Sequence, residues 1–347
     1  MSQSTFDVTR IDEAALSAYL MAHMPGFSGP VKAHKAGTGQ SNPTYILEAG
    51  SGRYVLRRKP PGPLLKSAHQ VDREYRVMKA LHGTGVPVPK MYHLCMDTSI
   101  VGTEFFIMEC LDGRIFWDPK TPEVDNAHRT GIYDAMNKAI AALAIVKPEA
   151  VGLADFGRPG NYYARQIKRW SDQYRGSETV KIPEMDMMMD WLPKNMPAED
   201  GLICVVHGDY RLDNMIFHPT EPEILGVVDW ELSTLGHPFA DLAYQCMQWR
   251  IPGDGEMRSL GGIDRKALGI PTEDEYVAKF CERTGFTSIP DWNFYLAYNM
   301  FRLAAIVQGV YKRGVDGNAS NRESALQRGK TVPILAKLGV KLIETGA

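Results

Sequence analysis

The chain has 347 residues, 44% of them hydrophobic and 23% charged, an ordinary globular composition with length enough for two cores or one core in two lobes. With 39 basic against 41 acidic residues, and no apolar run near the roughly 18 residues a membrane span needs, it offers neither a basic surface for nucleic acid nor a segment to cross a bilayer. Five scattered cysteines without a CxxC pair read as reduced thiols, and the N-terminus lacks a charged-then-apolar signal pattern, so a cytoplasmic protein is expected.

In chain order, Ala15, Leu16, Tyr19 and Leu20 predict a short helix over 11–24. TYILEA and RYVLRR read as two strands joined by a turn at Gly50-Ser51-Gly52. Val71, Tyr75, Met78 and Leu81 predict a helix over 67–82, followed by strands at 90–95 and 104–109. Beyond Asp112-Gly113, whose turn chemistry suggests a flexible boundary, the pattern becomes helical: 127–147, 161–175, 184–192, 239–249, 273–284, 291–312 and 319–343. The interruption is 202–231, where LICVV, MIFH and ILGVVDW are strand-like runs framing polar loops. The expected fold is therefore α+β and two-lobed, with a β-rich N-lobe at 1–110 and a helical C-lobe at 111–347.

The chemistry concentrates in HGDYRLDN, His207 to Asn214, and in Asp229 at the end of a second apolar run. Phosphoryl transfer needs a carboxylate to orient and deprotonate the attacking hydroxyl, and oxygen ligands for the metal ions that bridge the nucleotide phosphates. Protein kinases place an Asp in the catalytic loop, an Asn five residues on, and a separate metal-binding Asp later. Asp209, Asn214 and Asp229 have that order and spacing. Arg211 is either a cation for the charge developing on the phosphoryl oxygens or a surface arginine. Asp213 reads as a loop acid, and His207 reads as a brace, since Asp209 already holds the base position.

These residues resemble the aminoglycoside-phosphotransferase and choline-kinase superfamily, relatives of protein kinases. The phrases VVHGDYRLDNMIF, VVDWELSTLGHPFADLAY and FRLAAIVQGVYKR are similar above all to kinase-like domains associated with acyl-CoA dehydrogenases. The resemblance covers about residues 30–340. It implies a protein-kinase-like fold, Asp209 as base, Asn214 and Asp229 as magnesium ligands, and Asp241 as a brace for the two loops. Many such relatives have an acid where this chain has His237.

A nucleotide needs backbone donors and a cation near its phosphates. Gly37, Gly39, Ser41 and Asn42 form a glycine-containing loop before a strand pair, suited to close phosphate approach or to an ordinary hairpin turn. Arg57 stands where a kinase strand ends in lysine, and strand alternation puts it on the face opposite Arg58. Glu74 on the next helix is its expected ion-pair partner, and Glu109 and Leu111 flank the junction where backbone would meet adenine. The expectation is an ATP- and Mg2+-dependent transferase, monomeric or homodimeric, acting on a hydroxyl of a small molecule.

For the acceptor, residues 291–347 hold eight Lys/Arg and four Asp/Glu, a bias that leans toward a neutral or anionic compound. The resemblance points the same way, to a hydroxy acid or hydroxyacyl-CoA. Aminoglycoside or amino-alcohol kinase, pseudokinase partner module and protein kinase are the alternatives; the last lacks an evident activation segment. Met185, Met187, Met188 and Met189 read as core filler or as the lining of an acyl pocket.

Overall fold

The computed structural model describes residues 11–36, 42–62, 69–253, 257–319 and 321–346. Helix α1 (Glu13–His23) starts at Asp12, whose side chain accepts from the Ala15 amide at 2.9 Å. Strands β1 (Lys32–Lys35), β2 (Thr44–Ala49) and β3 (Gly52–Arg58) lead to helix α2 (Val71–Leu81), then β4 (Met91–Cys95) and β5 (Phe105–Glu109). The five strands form one antiparallel sheet in the order β1-β2-β3-β5-β4.

Period-two alternation gives the sheet two buried faces. Leu47, Tyr54, Leu56, Phe105 and Ile107 pack with Leu16 and Leu20 of α1 in a small separate core. Phe106 and Met108 face the other way and join Val71, Val77, Met78 and Leu81 of α2 in a core that continues into the C-terminal region. Helix α2 begins at Val71, later than the 67–82 reading, because His69 and Gln70 precede the helix.

The C-terminal region comprises α3 (Asn126–Ile145), α4 (Tyr162–Ser177), α5 (Pro183–Lys194), then β6 (Cys204–Val206), β7 (Met215–Phe217), β8 (Ile224–Val227) and β9 (Thr234–Gly236). Helices α6 (Phe239–Cys246), α7 (Glu273–Thr284), α8 (Trp292–Val315), α9 (Arg322–Gly329) and α10 (Thr331–Thr345) follow. The architecture is the expected mixed α+β one, with a β-rich N-terminal region and a helical C-terminal region. No helix among the described residues is long and apolar enough to cross a membrane.

Three readings need correction. The single helix expected at 319–343 is two, because Pro333 has no amide to continue the ladder and its ring clashes with the carbonyl four residues back, at Gly329. The run ILGVVDW ends as a strand at Val227; Asp229 then turns left-handed, and Trp230–Leu232 form a 3-10 turn. Gly113 serves close packing and not flexibility, since a Cβ there would collide with the Phe217 carbonyl, to which the Arg114 amide donates at 2.9 Å.

Candidate active site

Two short ribbons build the site. Strand β6 pairs with β9, and its end releases the loop from His207. Strands β7 and β8 form a hairpin in which Met215 faces Val227, and the Val228 amide donates to the Asn214 carbonyl at 2.9 Å. The hairpin closes the sequence gap between Asn214 and Asp229 and brings both to its open end. Asp229 has φ 66°, uncommon for a residue with a Cβ.

The polar side chains of the loop hold one another in place. The Asn214 amide nitrogen donates to the Asp209 carbonyl at 2.8 Å and to Asp209 Oδ2 at 3.1 Å. Its Oδ1 makes no hydrogen bond among the described residues. Asp209 Oδ1 accepts from the Tyr244 hydroxyl at 2.6 Å and lies 3.2 Å from Arg211 Nε. Burial pushes the Asp209 carboxyl up, but the Arg211 charge and the Tyr244 hydroxyl outweigh it and hold it below the usual range. Arg211 also pairs with Asp213 Oδ2 at 2.8 Å, and burial lifts the Asp213 carboxyl.

His207 is a brace. The Asp209 amide donates to its Nδ1 at 3.1 Å, which requires a lone pair there, so the ring carries its proton on Nε2 and donates to the Val228 carbonyl at 3.0 Å. The ring thus ties the His207–Asn214 loop to the segment before Asp229. Asp241, on the first turn of α6, accepts from the His207 and Gly208 amides at 2.6 and 2.9 Å. His237 turns elsewhere: its Nε2 meets Asp200 Oδ2 at 3.1 Å and its ring stacks on Tyr295.

From the sheet side, Arg57 Nε donates to Glu74 at 2.9 Å and Nη2 to Asp229 Oδ1 at 2.6 Å, while Arg58 is buried on the opposite face, donating to the Val101 carbonyl at 2.7 Å. Alternation therefore separates the two arginines as expected. Burial drives the Glu74 carboxyl up to about 7 despite the Arg57 charge. The Glu109 amide and side chain meet Lys90, and Leu111 packs where a Cβ on Gly226 of β8 would come within 2.5 Å. Gly37, Gly39 and Ser41 lie outside the described residues. Asn42 is buried; its Oδ1 meets His69 at 3.0 Å and its Nδ2 has no partner among the described residues.

Sequence reading missed Tyr244 and Arg302 as site residues. Tyr244 lies three residues after Asp241, on the same face of α6, which was a usable signal. Arg302 is a buried cation within the apolar FRLAA run: it donates to the Gly208 carbonyl and lies over the rings of Trp170 and Tyr244. Met185 and Met188 are fully buried core residues, and Met187 is exposed.

The profile of the phosphotransferase enzyme family (APH) matches residues 32–276. The chain belongs to this phosphotransferase family. ATP and magnesium dependence is typical of the family. A Ralstonia eutropha protein provisionally assigned as an aminoglycoside phosphotransferase has a crystal structure that superposes with a TM-score of 0.88 at 51% identity, covering 95% of this chain and 97% of its own. Acyl-CoA dehydrogenase family member 10 of Mus musculus is 45% identical over 94% of the chain, and family member 11 of Rattus norvegicus is 43% identical over 96%. The phosphotransferase spans only 31% and 43% of the lengths of these two relatives.

Proposed function

We propose that this phosphotransferase moves the γ-phosphoryl group of ATP to a hydroxyl of a small molecule, with Asp209 as the base. The observation that carries the reading is the meeting of Asp209, Asn214 and Asp229 across the β7–β8 hairpin. Asp209 is braced on one oxygen by Asn214 and on the other by Tyr244, so the carboxylate is held in one orientation toward an incoming hydroxyl. A carboxylate held ionised accepts the hydroxyl proton as the oxygen attacks the γ-phosphorus and the β,γ-bridging P–O bond breaks, with ADP as the leaving group.

The residues fit a metal. Asn214 offers Oδ1, and Asp229 offers Oδ2, neither bonded among the described residues; magnesium commonly takes one or two such oxygens and completes its shell with phosphates and water. These two oxygens would hold magnesium, whose positive charge would offset the charge of the nucleotide phosphates. Asn42 Nδ2, which has no partner among the described residues, is assigned to the phosphates together with Gly37, Gly39 and Ser41. Arg57, poised by Glu74, takes the place of the strand lysine, and Arg211 faces the transferred group. Glu109 and Leu111 supply backbone to the base. Residues 1–110 serve as the nucleotide lobe and 111–347 as the acceptor lobe. A hydroxy acid or hydroxyacyl thioester is the acceptor class that the acyl-CoA dehydrogenase relatives support.

ATP consumption across hydroxy acids, their CoA esters and aminoglycosides tests the function. Asp209→Asn should lower turnover by about 10²–10⁴ while leaving the thermal shift with ATP and magnesium intact. Undiminished transfer by this variant would remove Asp209 from the base role.

A further inference from the structure

A cavity of about 600 Å³ opens beside the catalytic loop, reaching Gly208 on one side and the start of α2 on the other. One stripe of α4 forms its wall: Tyr162, Gln166, Arg169, Trp170 and Gln173, at the three- and four-residue spacing that puts side chains on one helix face. Arg73 and Arg302 join from α2 and α8. Glu231 is the one acidic residue lining it among the described residues. The α4 acid nearest this stripe, Asp172, is exposed and pairs with Lys168 instead.

The three arginines differ in what they already do. Arg73 donates to the Phe156 carbonyl at 2.7 Å and lies over the Phe156 ring. Arg302 donates to the Gly208 carbonyl. Carbonyl partners fix these side chains, and neither makes an ion pair within the described residues, although Asp72 and Asp155 lie near Arg73 and Asp209 near Arg302. Arg169 makes no hydrogen bond or ion pair to the described residues; its guanidinium lies 5.2 Å from the centre of the Trp170 ring, which is itself held by Gln166 at 3.1 Å. A planar fork resting on a ring, with its donors unspent and two further cations behind it, is suited to bidentate capture of an anion. The same wall repels a polycation.

We infer that Arg169, backed by Arg73 and Arg302, forms an anion subsite that holds a carboxylate or phosphate on the acceptor, distal to the hydroxyl that Asp209 activates. This rests on the phosphotransferase reading of the site and adds the feature by which the acceptor is selected. The anion could be the carboxylate of a free hydroxy acid or a phosphate on the carrier of a thioester.

Binding can be measured without turnover, on the intact chain with AMP-PNP and magnesium, by calorimetry. The ligands are hydroxy acids of four to eight carbons, their primary amides, their CoA thioesters, and the neutral N-acetylcysteamine thioesters. The acids or the CoA thioesters should bind at least about tenfold more tightly than their neutral counterparts. Preference for the acids identifies a carboxylate, and preference for the CoA esters alone identifies a carrier phosphate. Arg169→Ala and Arg169→Glu should abolish the preference, Arg169→Lys should keep part of it, and the nucleotide thermal shift should stay at the wild-type value. Equal binding of charged and neutral members, binding of none, or an unaltered preference in Arg169→Ala would overturn the subsite. ATP consumption with a bound acid is a separate readout: a ligand that binds through Arg169 and is never phosphorylated removes the proposed function and leaves the subsite standing.

Discussion

Arg57→Met probes the energetics of the cleft most directly. Glu74 is fully buried, and burial lifts its carboxyl from 4.5 to about 7 even with the Arg57 guanidinium pulling the other way. A folded-state value above the unfolded one means that Glu74 favours folding while it holds its proton. That contribution is complete below 4.5 and lost once the pH has risen through about 7. At about 1.4 kcal/mol per tenfold, the displacement is worth about 3 kcal/mol. Removing Arg57 takes away the cation that holds the value down. In the variant Glu74 therefore stays protonated to higher pH, and the loss of stability continues above 7. At about pH 5.5 both proteins hold the proton, and the substitution costs only the hydrogen bonds of Arg57, about 1–3 kcal/mol. At about pH 9 the cost should approach the roughly 3–5 kcal/mol of a buried pair broken on one side. Urea denaturation at the two pH values measures both, and Glu74→Gln in the Arg57→Met background should recover most of the pH 9 loss. Equal losses at the two pH values, or no recovery in the double variant, would refute the argument.

Tyr244→Phe removes one of the two strongest influences that hold the Asp209 carboxyl down, so that carboxyl moves up; the acid limb of the pH–rate profile should shift to higher pH, with the plateau at alkaline pH less affected. An unmoved acid limb would show that Asp209 ionisation does not control the rate. Gly208→Ala forces a side chain into φ 85° and brings its Cβ to 2.8 Å from the Leu232 carbonyl. The backbone strain alone is about 1–2 kcal/mol, and the loop that Arg302 and Asp241 fix must shift, so both the melting temperature and turnover should fall; wild-type values for both would contradict this placement.

Much of the fold was legible because it is local. Helix α7 has the bounds expected from the sequence, 273–284, and its ends are locally encoded: a capping box of Thr272 with Glu275, and the left-handed Gly285. The break before α10 had a signal in Pro333 that the periodicity masked. Strand β9 had none: three residues paired to β6 have no periodicity to detect. The charge tally over 291–347 does not describe the cavity proposed for the acceptor. Of those eight cations only Arg302 lines the cavity, while Arg73 and Arg169 come from helices far away in sequence.

The sequence by itself determined the spacing of Asp209 and Asn214 within one loop, and the separation of Arg57 from Arg58. Both follow from the few residues around them, through loop length and strand alternation. Only the tertiary structure decided that Tyr244 and Arg302 close around Asp209, that Arg57 reaches Asp229, and that Arg169 faces the same cavity as Gly208. Those contacts join elements tens to hundreds of residues apart, and they form where a shared hydrophobic core brings α2, α4, α6 and α8 against the two small ribbons.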